Sequence, residues 1–124
     1  MSEKHRARIE ETIHQLIAGL LQRRTKDPRV TNVSVTKVEL SKDYALAKIM
    51  YNIIGSADEI AEVQRGLERG SGWMRNQIKS RLRLRTIPEL VFLYDDSLDR
   101  AMRIEGLLEE IKREEDDDDE QDRG

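Results

Sequence analysis

Apolar residues recur every three or four positions in the first part of the chain. Between Arg6 and Arg24 they form one face of a helix, and glutamates and glutamines occupy the opposite face. These apolar positions are Ile9, Ile13, Leu16, Ile17 and Leu20. Proline disfavours the helical conformation of the residue before it, so the pair Asp27-Pro28 ends the segment. The pattern predicts a long amphipathic first helix.

Two segments with period-two alternation follow and predict a β-hairpin. In the first, from Val30 to Leu40, the alternation slips by one residue near Thr36 and Lys37, which indicates a β-bulge. Residues 41–43, Ser-Lys-Asp, are a plausible turn. From Ala45 to Ile53 the alternation resumes, as expected for the second arm of the hairpin.

A capping box marks the start of the second helix. Ser56 and Glu59 are spaced so that the hydroxyl and the carboxylate can satisfy free amides of the first turn. Apolar residues at helical spacing follow on both sides of two glycines, which make a straight helix costly. These apolar residues are Ile60, Val63, Leu67, Met74, Ile78 and Leu82. We therefore predict two helices joined by a kink at Gly70, Ser71 and Gly72, the second ending near Leu82.

The last third of the chain predicts a strand, a helix and a tail. Leu90 to Tyr94 is a short run of strand formers, which we interpret as a buried third strand. A helix with an apolar face is expected after residues 95–97, and from Glu114 onward the chain is acidic and of low complexity. The expected fold is an α+β domain with a three-stranded sheet over residues 1–113, followed by a disordered acidic tail over residues 114–124.

The net charge of −3 conceals two parts of opposite sign. Residues 114–124 hold eight acidic residues and one basic residue. Of the 22 basic and 25 acidic residues in the whole chain, 21 and 17 lie in residues 1–113, which therefore carry a formal charge of +4. A basic body with an acidic end is the pattern that a function must explain.

Length and composition exclude several classes of protein. With 124 residues the chain can bury one core but not two. The absence of cysteine excludes disulfides, thiolate metal sites and cysteine nucleophiles, and it fits a reducing compartment. The charged N-terminus resembles no export signal, and no apolar run approaches the roughly 18 residues of a membrane span. We expect a monomeric cytoplasmic protein that needs no cofactor.

Two clusters of basic residues are candidate contacts to phosphate. Residues 75–85 include five basic side chains and no acidic one, and a second cluster surrounds the first loop. Fixed cations attract nucleic acid by releasing condensed counterions, and arginine adds forked hydrogen bonds to phosphate. The alternative is a solvated face neutralised by salt bridges. The clusters are Arg75, Lys79, Arg81, Arg83 and Arg85, and Arg23, Arg24, Lys26 and Arg29.

Few residues suggest chemistry other than binding. The two histidines are His5, in the charged N-terminus, and His14, which we interpret as a surface residue because nothing nearby suggests activation. The glycine pair at residues 70–72 is one residue short of the GxxG loop of a KH domain, so a helix bend is favoured over a nucleotide clamp. Trp73 could stack on a base, but packing in the core or at the hinge is favoured.

Four blocks in order resemble one protein family. They are RRTKDPR at residues 23–29, LSKD at 40–43 leading into a strand, GSGWMR at 70–75, and LRTIPELVFLYDDS at 84–97. The last block is the most specific, and the first supports it independently. Over residues 5 to 112 the chain resembles ribosome-binding factor A.

The resemblance implies a type II KH-like fold in which an AxG kink, here at residues 70–72, replaces the GxxG loop. This chain departs from the family pattern in having Gly70 in place of alanine and Trp73 in place of phenylalanine. The family binds the small (30S) ribosomal subunit and its 16S rRNA during late maturation. It aids processing of the rRNA 5′ end, supports growth in the cold and catalyses no reaction. Assembly GTPases are the implied partners in its release.

Other functions stay open on the residues alone. The chain could be a general RNA-binding module without preference for ribosomes, or a protein-interaction domain whose basic face meets an acidic protein. A nuclease lacks candidate residues. The acidic tail either competes with RNA for the basic face or, as we favour, keeps the protein soluble.

Overall fold

The computed structural model describes residues 3–23 and 32–122, with side chains described in 3–22 and 32–116. The elements are α1 (Glu3–Arg23), β1 (Ser34–Leu40), β2 (Leu46–Asn52), α2 (Ala57–Arg81), β3 (Glu89–Tyr94) and α3 (Ser97–Asp122). The predicted α+β class and three-stranded sheet are confirmed. Within the described ranges, no helix is both long enough and apolar enough to cross a membrane.

The sheet has β2 at its centre. β1 pairs with β2 in antiparallel fashion through the hairpin, and β3 pairs with β2 in parallel fashion after the crossover through α2. The register shifts between Val35 and Lys37, which confirms the predicted bulge at Thr36. The Thr36 hydroxyl donates a hydrogen bond of 2.7 Å to the Asp95 carboxylate. The bulge therefore joins β1 to the segment that follows β3.

Helices α1 and α2 cover one face of the sheet. Their apolar residues and the inward residues of the strands form one core. The largest fully buried aliphatic and aromatic side chains include Ile13, Ile17, Ile49, Tyr51, Leu67 and Ile78. Gln64 of α2 accepts a hydrogen bond from the Tyr51 hydroxyl, and its amide donates to the Phe92 carbonyl at 2.8 Å. These two bonds tie α2 to two adjacent strands.

β3 is an edge strand with one face open. Phe92 is buried, whereas Val91 and Leu93 are 38% and 39% exposed. The prediction of a buried third strand was therefore wrong. A continuous apolar run does not reveal whether both faces of a strand are covered, and here the packed helices lie on only one side of the sheet.

Helix α2 runs without interruption through the predicted kink. Four of its residues are buried, and their spacing of four, seven and four keeps one face on the sheet across both glycines. These residues are Val63, Leu67, Met74 and Ile78. Neither Gly70 nor Gly72 has a positive φ. The two predicted helices are thus one helix, because the packing of this face outweighs the roughly 1 kcal/mol that each glycine costs relative to alanine.

Hydrogen bonds between side chains fix the start of α3. The Tyr94 hydroxyl donates to Asp99 Oδ2 at 2.6 Å and accepts from Asn52 Nδ2 at 3.1 Å. Asp95 Oδ1 accepts from the first amide of α3 at 3.0 Å. Beyond this anchor every side chain from residue 100 to residue 116 is exposed, so the apolar residues of α3 face solvent.

The last helix continues past the predicted domain boundary. We expected disorder from Glu114, but α3 extends through the acidic residues to Asp122. Neither glycine nor proline lies between Gly106 and Asp122, and the glutamates and Lys112 of this stretch favour helix. The division into residues 1–113 and 114–124 stays a prediction.

Replacing Gly72 with alanine should stabilise the domain by about 0.5–1 kcal/mol. No atom lies within 4 Å of the position that the new Cβ would take, and the backbone there is helical. Urea denaturation followed by circular dichroism measures the gain. Gly106→Ala is the control, since it has equal space but lies on exposed α3 and should hardly move the unfolding midpoint. A destabilised Gly72→Ala would contradict the continuous helix.

Tyr94 makes the anchor of α3 sensitive to alkaline pH. Its hydrogen bond to Asp99, together with burial, raises the pKa of Tyr94 from 10.0 to about 12. A raised folded-state pKa contributes stability that is complete below the unfolded pKa and is lost as the pH rises through the folded pKa. Between neutral pH and about pH 11, the wild type should lose more stability than Tyr94→Phe, which cannot ionise. Urea midpoints at both pH values test this, and equal losses in the two proteins would contradict the hydrogen bond.

Candidate nucleic-acid interface

The predicted basic segment is divided between a helix and the connection that follows it. α2 ends at Arg81, where the Leu82 amide donates to the Ile78 carbonyl at 2.8 Å. The basic residues on the helix are Arg75, Lys79 and Arg81, and those on the connection to β3 are Arg83 and Arg85. The predicted basic segment therefore carries some of its cations on a helix and the others on an irregular connection.

Burial alternates along residues 81–85, which we call the arginine segment. Its three arginines are exposed, and the two leucines between them pack partly buried against the core. Leu82 has φ −115 and ψ 132, an extended conformation in which successive side chains point to opposite sides. The leucines hold the segment to the domain while the arginines meet solvent.

The solvent side of α2 carries further cations that the charge runs alone did not reveal. Five exposed residues spaced alternately by four and three lie on one helix face, and none of them is acidic. They are Arg65, Arg69, Gly72, Asn76 and Lys79. We call Arg65, Arg69 and Lys79 the basic helix face. Their spacing was visible in the sequence, but the neighbouring Glu68 obscured it.

These cations have no acidic partner among the described residues. No described carboxylate forms an ion pair with the basic helix face or with the arginine segment. Ion pairs do occur elsewhere, between Lys37 and Glu39 at 2.8 Å and between Arg100 and Asp96 at 3.2 Å. A face neutralised by salt bridges is therefore not supported within this part of the chain, and the charge stays available to an anionic partner.

Arg75 is the exception, because it is bonded to the backbone. Its Nη2 donates to the Ile87 carbonyl at 2.9 Å, and its Nε donates to the Pro88 carbonyl at 3.2 Å. The guanidinium thus ties α2 to the residues just before β3, where Pro88 is fully buried. This geometry favours a positioning role for Arg75, and its predicted contact with phosphate stays a prediction.

The second predicted cluster falls largely outside the described residues. Arg24, Lys26 and Arg29 belong to residues 24–31, and Arg23 ends α1 without a described side chain. Their role in RNA binding stays a prediction.

Trp73 lies on the surface of α2. Its side chain is 42% exposed, so the favoured interpretation as a core or hinge residue was wrong. The register that buries its neighbour Met74 turns Trp73 outward, one helical turn from Arg69. The indole is therefore accessible for stacking on a base. Because the helix is continuous at residues 70–72, no loop of the GxxG type is present there.

Neither described histidine is placed as a catalytic group of this site. His14, which we expected at the surface, is half-buried, and its Nε2 donates to the Val35 carbonyl at 3.0 Å, linking α1 to β1. Over the described ranges, no three histidine or acidic side chains are grouped to hold a metal ion. The arrangement is suited to binding anions.

Two grooves open beside the arginine segment. One has a volume of about 370 Å³ and runs along α1 past Leu16 and Gly19 to Arg81. The other has a volume of about 400 Å³ and lies between the hairpin turn, at Tyr44, and Arg83. The segment therefore borders concave surfaces on which an extended chain could lie.

Sequence comparison decides the family. The profile described as ribosome-binding factor A matches residues 5–108. A protein of that name from Geotalea uraniireducens is 39% identical over 119 residues, which are 96% of this chain and 98% of the relative. The chain belongs to the ribosome-binding factor A family. The family match includes the basic helix face and the arginine segment, and it ends before the acidic stretch of residues 114–124.

Solved structures of ribosome-binding factor A share the fold. The crystal structure of the Thermus thermophilus protein superposes with a TM-score of 0.64 at 26% identity, covering 72% of this chain and 94% of the other. A homology model of the Thermus thermophilus protein, fitted into a cryo-EM map of a 30S complex with ribosome-binding factor A, gives a TM-score of 0.61 at 25% identity, covering 73% of this chain and 96% of the other. The KH-like fold that the resemblance implied is confirmed.

Replacing Arg75 with alanine should lower the free energy of unfolding by about 1–2 kcal/mol, because two charge-assisted hydrogen bonds are lost. Lys79→Ala, on the same helix, should change stability by less than about 0.5 kcal/mol. Arg75→Lys keeps the charge but lacks the planar fork whose two separate nitrogens reach the two carbonyls, so it should recover only part of the loss. Urea denaturation measures all three variants. Equal stability of Arg75→Ala and Lys79→Ala would contradict the positioning role.

Proposed function

We propose that this protein is a ribosome assembly factor that binds the small (30S) subunit and its 16S rRNA during late maturation and processing of the rRNA 5′ end. The observation that carries the proposal is a set of solvent-facing cations without a described acidic partner. The chain that bears them belongs to a family of which a Thermus thermophilus member is placed in a 30S complex. The protein acts in the cytoplasm by binding alone, and its action supports growth in the cold.

The chemistry of the surface suits an RNA backbone. Each cation that meets a phosphate releases counterions, and the guanidinium of arginine can donate two parallel hydrogen bonds to phosphate oxygens. The partly buried leucines of the arginine segment hold its backbone in place before RNA arrives. Less conformational entropy is then lost on binding than with a free basic loop.

Binding assists assembly through a preference for one rRNA conformation. A ligand shifts an equilibrium only by its difference in affinity for the two states. A protein that prefers incompletely folded rRNA therefore holds that state until native contacts form, and its affinity falls when they do. Assembly GTPases are the partner class through which release is driven in this proposal.

Two other functions make different predictions about partners. A general RNA-binding module would not distinguish ribosomal subunits, and a protein-interaction domain would prefer an acidic protein to RNA. The exposed Trp73 supports RNA over an acidic protein, because every base offers a face on which an indole can stack. The acidic end, in this proposal, serves solubility.

Purified protein should co-sediment with small subunits and not with large subunits or intact ribosomes. Arg81→Ala/Arg83→Ala should weaken this binding, because both side chains are exposed and without a described partner. Lys37→Ala is the matched control, since Lys37 is already paired with Glu39 and should retain binding. Equal binding to all three particles, or to none, would remove the proposal.

The same variants give a salt-dependence test of the basic surface. If about five phosphates are contacted, the logarithm of the affinity should fall with the logarithm of salt concentration at a slope of about −3 to −4. Arg81→Ala/Arg83→Ala should reduce the magnitude of this slope by about 1.4, and Lys37→Ala should leave the slope unchanged. Circular dichroism checks that each variant is folded. A flat salt response of the wild type would contradict electrostatic binding.

A further inference from the structure

The groove of about 400 Å³ beside the hairpin turn combines an aromatic ring with two arginines. Tyr44 lines it from the turn between β1 and β2, and Arg83 and Arg85 line it from the connection between α2 and β3. His5 at the start of α1 also lines it, and the rings of His5 and Tyr44 meet edge to face with centroids 6.3 Å apart. The volume lies in the range of small-molecule sites.

Tyr44 has the one positive φ among the described non-glycine residues, at 61°. This left-handed conformation costs a residue with a Cβ about 1–2 kcal/mol. The turn nevertheless holds it firmly, because the Tyr44 amide donates to the Ser41 carbonyl at 3.0 Å and the Ser41 amide donates to the Leu46 carbonyl at 2.8 Å. The turn therefore fixes the direction in which the side chain of Tyr44 leaves the backbone, and the residue lines the groove.

We propose that this groove holds one unpaired nucleotide of a single-stranded RNA segment, with its base against Tyr44 and its phosphate on Arg83 and Arg85. The inference rests on the proposed function and deepens it, because it assigns a base-binding position to a surface otherwise argued from charge. An aromatic ring beside a cationic wall is the arrangement by which proteins hold single strands without reading their sequence.

The charges of the groove set the direction in which the nucleotide enters. Asp43 lies on the Tyr44 side, where it accepts hydrogen bonds from the Ser41 hydroxyl at 2.6 Å and from the Ala45 amide at 3.1 Å. These bonds lower the pKa of Asp43, so its carboxylate is ionised and repels a phosphate. The phosphate is therefore placed on the arginine side and the base on the tyrosine side.

The test uses the full chain and an oligouridine, compared with an abasic oligonucleotide of the same length. Tyr44→Asn removes the ring but suits the turn, since asparagine tolerates a positive φ better than tyrosine. It should weaken binding of the oligouridine roughly 5- to 150-fold, the effect of losing one stacked base, and leave binding of the abasic probe unchanged. Tyr44→Phe keeps the ring and should bind both probes like the wild type. Fluorescence anisotropy measures the affinities, and circular dichroism checks folding.

The arginines give an independent arm of the same experiment. Arg83→Ala/Arg85→Ala should weaken both probes and reduce the salt slope, whereas Tyr44→Asn should leave the slope unchanged. The groove proposal is overturned if Tyr44→Asn binds oligouridine like the wild type, or if the wild type does not distinguish the two probes. Retained co-sedimentation with small subunits would then leave the proposed function standing. Loss of that co-sedimentation in the wild type would remove the proposed function itself.

Discussion

The position of the arginine segment depends on one guanidinium. Residues 82–88 have no regular secondary structure, and their buried contacts, at Pro88 and the two partly buried leucines, are apolar. By donating to the Ile87 and Pro88 carbonyls, Arg75 closes this connection onto the helix from which it departs. The loop is thus ordered by folding and not by its partner, which lowers the entropy lost on binding. Arg75 thus helps to determine where the neighbouring arginines lie.

Helix α2 begins with acidic residues and ends with basic residues. Asp58 and Glu59 lie in its first turn and Lys79 and Arg81 in its last, an order that suits the helix dipole. Asp58 and Lys79 are 21 residues apart, or about 32 Å at 1.5 Å per residue. That distance exceeds the Debye length of about 8 Å at physiological salt. The acidic first turn therefore hardly reduces the attraction of the cationic last turn for an anion. The same helix can have acidic residues at its N-terminus, which stabilise it, and bind an anion near its C-terminus.

Local signals in the sequence predicted the local structure well. The bulge at Thr36, the capping box at Ser56 and the end of α2 near Leu82 each follow from a few adjacent residues. The predictions that failed concerned α2 and β3, whose structure depends on contacts between residues far apart in the chain. The two predicted helices are one because a buried face continues through residues 70–72, and β3 is half-exposed because no described helix covers its outer face. Of the candidate site, the exposure of the cations was predictable from charge, but the clamp by Arg75 and the groove at Tyr44 join residues far apart in the chain.

The exposed course of α3 changes how the net charge of the chain should be read. From its anchor at Asp99 to Glu114 the axis advances about 22 Å, and to Asp122 about 35 Å. A continuous helix cannot double back, so the exposed carboxylates of Glu114, Glu115 and Asp116 lie almost three screening lengths from the anchor at Asp99. At this separation the basic body and the start of the acidic stretch act on an approaching ion largely independently. An approaching polyanion encounters a body of charge +4, and the overall −3 governs only behaviour averaged over the whole particle, such as migration in an electric field.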